Sequence, residues 1–198
     1  MNERMAPAAG AGLQRSLIWI TSANFAAFVI EAAAARAIGS VSLLADSAGF
    51  LTAASVGLLA LTFPRWPPRS RMVVGGACAA LIVACLLGAL GMAWSKYRAP
   101  VLPDPMTVSL MGATAFAVQL LCAFIVAAHR RPERPPLWAT LIAARYDVLV
   151  KVGIIETGVV TAFVWRAPWL DVITGIALVV LNADGAWRVW TAARHPPR

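Results

Sequence analysis

Lys151 stands four residues after Asp147 inside LWATLIAARYDVLVKVGIIETGVVTAFVW, an apolar stretch with no water-facing surface of its own. A charge at the centre of a bilayer is unfavourable by about 2.5–3.5 kcal/mol on insertion scales, so it turns toward a partner, a cavity or an ion path. The i, i+4 spacing places both side chains on one helical face with the acid first, the favourable order for an ion pair. Other apolar stretches also carry groups able to handle ions. Asn24 and Glu31 lie seven apart and share a face, and Asp46 precedes the small residues Ser47, Ala48 and Gly49. Gln119, Arg145, Glu156, Asn182 and Asp184 complete the set. Asn24, Gln119 and Asn182 read as interhelical hydrogen bonding. The short-stemmed carboxylates Glu31, Asp46 and Asp147 cannot extend far toward water, so each is part of an ion path, an ion pair or a structural hydrogen bond.

The elements that must position these groups are transmembrane helices. The chain has 198 residues, 60% apolar and 13% charged, with mean hydropathy +0.74. Six windows suffice to cross about 30 Å of hydrocarbon as helices: 13–37, 41–63, 72–95, 106–128, 137–164 and 168–190. The predicted fold is therefore all-α, a six-helix membrane bundle over 13–190 with tails at 1–12 and 191–198. PRWPPRSR, SKYRAPVLPDP and HRRPERPP separate the windows, and their prolines and arginines suit headgroups or water. With the N-terminus inside, the inner connections and tails hold arginines 4, 15, 65, 69, 71, 130, 131, 134, 188, 194 and 198. Only Arg36, Lys96, Arg98 and Arg166 fall outside. The asymmetry places both termini in the cytoplasm.

Several functional classes lose their basis at this point. The net charge of +8 comes from arginines flanking apolar spans, which points to topology and anionic lipid rather than nucleic acid. A cleaved signal peptide is disfavoured because the first apolar run contains Asn24 and Glu31. Cys78, Cys85 and Cys122 lack CxxC spacing and read as packing residues, and His129 and His195 lie at or beyond helix ends. No GxxxxGK, HExxH or GxSxG pattern occurs, and no nucleophile with a positioned base can be assembled, so an enzyme is not expected.

NFAAFVIEAAAARAIGSVSLLAD over Asn24–Asp46, AARYDVLVKV in the fifth span and WLDVITGIALVVLNADGAWRVW in the sixth resemble the cation diffusion facilitator family. The likeness is to short bacterial members that lack the cytoplasmic metal-binding domain. It implies a six-helix, homodimeric inner-membrane transporter exporting zinc, iron, cobalt or manganese in exchange for protons, with no resident cofactor. It also implies a metal site built from two residues one turn apart on the second helix and two on the fifth. Those positions here are Gly49, Ala53, Ala143 and Asp147, and only Asp147 offers a ligand atom.

Two functional expectations follow. In the first, the protein transports cations, with Asp46 and Asp147 as the remaining metal ligands and Glu31, Asn24 and Lys151 along the ion path. In the second, it is a degenerate, non-transporting partner or regulatory subunit in which an Asp147–Lys151 ion pair replaces the bound ion.

Overall fold

In the computed structural model the apolar runs form α1 (Met5–Ile38), α2 (Val41–Thr62), α3 (Pro68–Arg98), α4 (Pro105–Ala128), α5 (Leu137–Phe163), α6 (Trp169–Asn182) and α7 (Gly185–Arg194). The structure describes residues 5–62, 65–128, 137–164 and 166–194, with side chains placed at 14–62, 65–125, 150–164 and 166–194. Proline opens α3 and α4 and precedes α6, where a missing N–H leaves no helical bond unmade. Asp104 adds a side-chain cap to α4, accepting from the Thr107 N–H at 3.0 Å and from the Thr107 hydroxyl. These bonds hold its carboxyl below the ordinary carboxylate range. Between α1 and α2 the chain turns at Gly39, whose φ of 67° lies in the left-handed region that glycine enters without steric penalty.

Among the described residues, five helical segments are long and apolar enough to cross a membrane: Gln14–Ile38, Val41–Thr62, Pro68–Arg98, Pro105–Ile125 and Trp169–Arg194. The sixth expected span is the 27-residue helix α5, whose first half lies outside the described side chains. Helix ends differ from the apolar windows because a helix persists beyond hydrocarbon. α1 begins at Met5, and the last span reaches Arg194 rather than 190. That span is also interrupted. α6 ends at Asn182, Ala183 N–H bonds to Val180 O at 3.3 Å in a tightened turn, and α7 starts afresh at Gly185.

α2 is the central helix, packed on α1, α3, α6 and α7, and more than half of its 22 residues are buried. α5 lies against α4 and α6. Polarity is arranged in the sense opposite to that of a water-soluble bundle. Trp19, Phe25, Leu87, Trp94, Met106, Phe124 and Val180 face outward, while Asn24, Glu31, Ser42, Asp46, Lys96, Lys151 and Asp171 are buried. Only an apolar surrounding makes that arrangement favourable.

Small residues set the helix crossings. On α3, Gly75 meets Ala193 of α7, and Cys85 and Ala89 are buried, so one stripe of this glycine- and alanine-rich helix serves internal packing. At the α2–α6 crossing, a Cβ on Gly175 would lie 2.4 Å from Val41 Cγ1 and 2.8 Å from the Val41 carbonyl carbon. Backbone cannot yield as a flexible side chain can. Gly175→Ala is expected to lower stability by about 1–3 kcal/mol through overpacking, read as a reduced midpoint of thermal unfolding in detergent.

Candidate cation site

The start of α2, the end of α3 and the start of α6 meet at one end of the bundle, and Asp171 joins them. Its carboxylate accepts from Ser40 Oγ at 2.7 Å, Val41 N at 2.8 Å, Ser42 N at 3.1 Å, Ser42 Oγ at 2.6 Å and Lys96 Nζ at 2.8 Å. The first amides of a helix lack intrahelical acceptors and carry partial positive charge, so an anion supplied by a neighbouring helix satisfies both needs. Ser40 also caps its own helix, accepting from Leu43 N at 3.3 Å. GSVS is thus a turn, a cap and two amides shaped around one carboxylate. Lys96, expected in an outer connection, is instead buried in an ion pair, and the Asp171 partner was not among the residues selected from sequence. Trp94, Tyr97 and Trp169 stack around this end, as aromatics do at a membrane interface.

From the opposite end a cavity of about 1050 Å³ enters between α2, α4, α5 and the α6–α7 break. Its lining includes the exposed pair Asp184 and Arg188, which bond within one turn at 2.6 Å, and continues past Thr52, Ala53 and Gly49 to Asp46, Phe50 and Lys151. From Gly57 to Asp46 it follows α2 for about 16 Å at 1.5 Å per residue. The mouth lies at the end where Arg65, Arg69, Arg71, Arg188 and Arg194 are found.

At the deep end, the Lys151 ammonium is ion-paired with Asp46 Oδ2 and lies 4.1 Å from the centre of the Phe50 ring. Both charged side chains are about 95% buried. Phe50 follows Asp46 by one turn on α2, so carboxylate and ring project from one face and hold the ammonium between them. Glu31 of α1 is also buried, and its carboxyl lies beside that of Asp46. Asp46 and Lys151 are its charged neighbours. Cys85 itself contacts Ser47 Oγ at 3.4 Å and donates to Leu44 O, consistent with a packing residue.

The residues selected from sequence are brought together in part. Asp46, Glu31 and Lys151 converge from three helices, whereas Asn24 donates to Ile20 O at 2.8 Å and contacts Cys122 Sγ, away from the cavity lining. The ion pair expected within α5 involves Asp147, whose side chain lies outside the described residues; the described partner of Lys151 is Asp46, reached from α5 to α2. The Asp147 side chain, like those of Ala143 and Arg145, lies outside the described residues, as do His129 and His195. Gly49 and Ala53 do line the cavity, where they present no ligand atoms. Asn182 donates to Ala45 O at 3.2 Å, with its amide oxygen filling the space that a Gly49 side chain would occupy. Gln119 lines the cavity and Glu156 is exposed. Among the described residues no three His, Cys, Asp or Glu side chains gather to hold a metal ion.

Every lysine in the chain is accounted for by these two sites. There are two, Lys96 and Lys151, against fifteen arginines, and each is buried against an aspartate. The fold and these sites define an all-α protein with the architecture of a multi-pass membrane protein. Comparison with known protein families and with curated proteins finds no match.

Proposed function

We propose that the protein is a cation transporter of the inner membrane, exchanging its cation for protons, in which the Lys151 ammonium stands where the transported cation is received. The observation carrying this reading is the Lys151–Asp46 pair at the closed end of a cavity that opens toward the arginine-rich face. An ion pair with no function at such depth is readily replaced by apolar packing of equal or greater stability. The resemblance to cation diffusion facilitators supports the same class, and with it a homodimer. Divalent metal export is the demanding form of the proposal. Gly49 and Ala53 supply no ligands and Asp46 is engaged by Lys151, so zinc would lack the closed tetrahedral shell that gives tight binding.

Reconstitution in liposomes tests the reading. Under a pH gradient, flux of zinc, iron, cobalt or manganese, or proton flux driven by cations, is expected in the unaltered chain and is expected to fall at least about tenfold in Asp46→Asn, since removal of a charge partner is worth several kcal/mol. The second reading, a partner subunit silenced by its own lysine, draws on the same pair. It predicts no flux in the unaltered chain and metal flux once Lys151→Asn is combined with Gly49→Asp and Ala53→Asp.

A further inference from the structure

The ammonium at the deep end of the cavity is held by a carboxylate on one side and an aromatic face on the other. Asp46 and Phe50 are thus arranged around a positively charged nitrogen, and both also line a cavity large enough for an organic molecule. A carboxylate with an aromatic ring is the chemistry by which proteins recognise ammonium groups. Lys151 fills this receptor through a flexible four-carbon stem that can relocate its nitrogen. Glu31 supplies a place for it to go: a buried carboxyl beside Asp46 and Lys151, to which no N–H donates. Two carboxyl groups face one ammonium, which leaves one position for a second positive charge.

We propose that Asp46 and Phe50 form the receptor for an organic ammonium cation entering through the cavity, and that its binding moves Lys151 from Asp46 onto Glu31. Each carboxylate then holds one ammonium, and the incoming charge is balanced by a proton released from Glu31; no other bond is made or broken. A hydrated divalent metal ion gains nothing from the aromatic face, whereas an alkylammonium uses the charge, the ring and the apolar wall around Val56 together. The inference deepens the transporter reading by naming its substrate class.

Binding of n-butylammonium chloride to the full chain in lipid nanodiscs, followed by calorimetry, is the test. Saturable binding at least about tenfold tighter than that of sodium or neutral butanol is expected, a gap set by one buried charge pair. Asp46→Asn is expected to weaken it at least about tenfold and Phe50→Leu about two- to fivefold, the contribution of an ammonium on a ring. Because these variants can perturb folding, the unaltered chain provides a second readout. With ¹⁵N-lysine and carboxyl-¹³C-glutamate labels, saturation with butylammonium should bring Lys151 Nζ into dipolar contact with a glutamate carboxyl. Absence of binding, binding indifferent to Asp46→Asn, or a Lys151 nitrogen that stays away from glutamate would each overturn the proposal. The two readings fail separately. Metal flux in liposomes without butylammonium binding overturns the ammonium receptor alone, while binding without flux of any cation, butylammonium included, overturns transport alone.

Discussion

Lys151→Met is expected to destabilise the protein by about 3–5 kcal/mol, the range found when one member of a buried ion pair is removed. The loss belongs in the upper part of that range, because Asp46 would be left buried beside Glu31, with two carboxyl groups and no cation. Lys151→Met combined with Asp46→Leu should recover most of the stability, since an apolar pair of similar volume has no desolvation to offset. Chemical or thermal unfolding in detergent measures both variants, and the double-mutant cycle gives the coupling between the two sites directly. Full recovery of stability together with complete loss of cation binding or flux is the combination expected of a pair retained for function. If Lys151→Met alone left stability unchanged, the ammonium would not be counterbalancing Asp46.

Asp171→Ala should be at least as damaging, with an expected loss of about 3–5 kcal/mol or more, because one substitution strands a buried ammonium and the first amides of the central helix. The partners separate by prediction. Lys96→Met leaves Asp171 its donors from Ser40, Val41 and Ser42 and should lose less, about 1–3 kcal/mol. Asp171→Asn falls between the two: it keeps one acceptor oxygen but turns an amide donor toward Lys96 or the α2 amides. The order Asp171→Ala, Asp171→Asn, Lys96→Met, from most to least destabilised, is read from unfolding midpoints in one detergent. A larger loss in Lys96→Met than in Asp171→Ala would mean that the amide clamp on α2 contributes little.

Hydropathy made the bundle legible, since five windows became one helix each, the last became α6 and α7, and the prolines mark where several of them start. The polar set within the spans was legible too, because a carboxylate in an apolar run is conspicuous wherever its partner lies. Partner choice was not. Sequence spacing reveals neighbours along one helix, so it offered Asp147 as a mate for Lys151 and could not offer Asp46. The pair in the structure joins residues 105 positions apart, on helices whose relative placement no periodicity encodes.

Asp171 was missed for a related reason. A charge at the end of an apolar window is ordinarily solvated by headgroups, and nothing local distinguishes Asp171 from that case. A usable signal was present in the composition: a chain that writes fifteen of its cations as arginine and two as lysine marks those two positions as different. The break at Ala183–Asp184 has a local trace in Asn182, Asp184 and Gly185, residues that favour turns over helix interiors. Gly185 is also pressed against Thr52 so closely that a Cβ would lie 2.5 Å from the hydroxyl oxygen. The interruption opens the last span beside the cavity, as broken membrane helices do where they line a site rather than face lipid.

The central claim is that Lys151 delivers its ammonium from α5 to Asp46 on α2. Because the chain has only two lysines, ¹⁵N-lysine labelling yields two side-chain signals, and Lys96→Met assigns them. Rotational-echo distance measurements from Lys151 Nζ to ¹³C-labelled aspartate carboxyls in lipid bilayers then test the contact. The account predicts strong dephasing in the Lys96→Met protein and its loss when Asp46→Asn is added with a ¹³C label confined to aspartate. Dephasing that persists undiminished in the Asp46→Asn protein would assign the ammonium to Asp147 on its own helix and contradict the account.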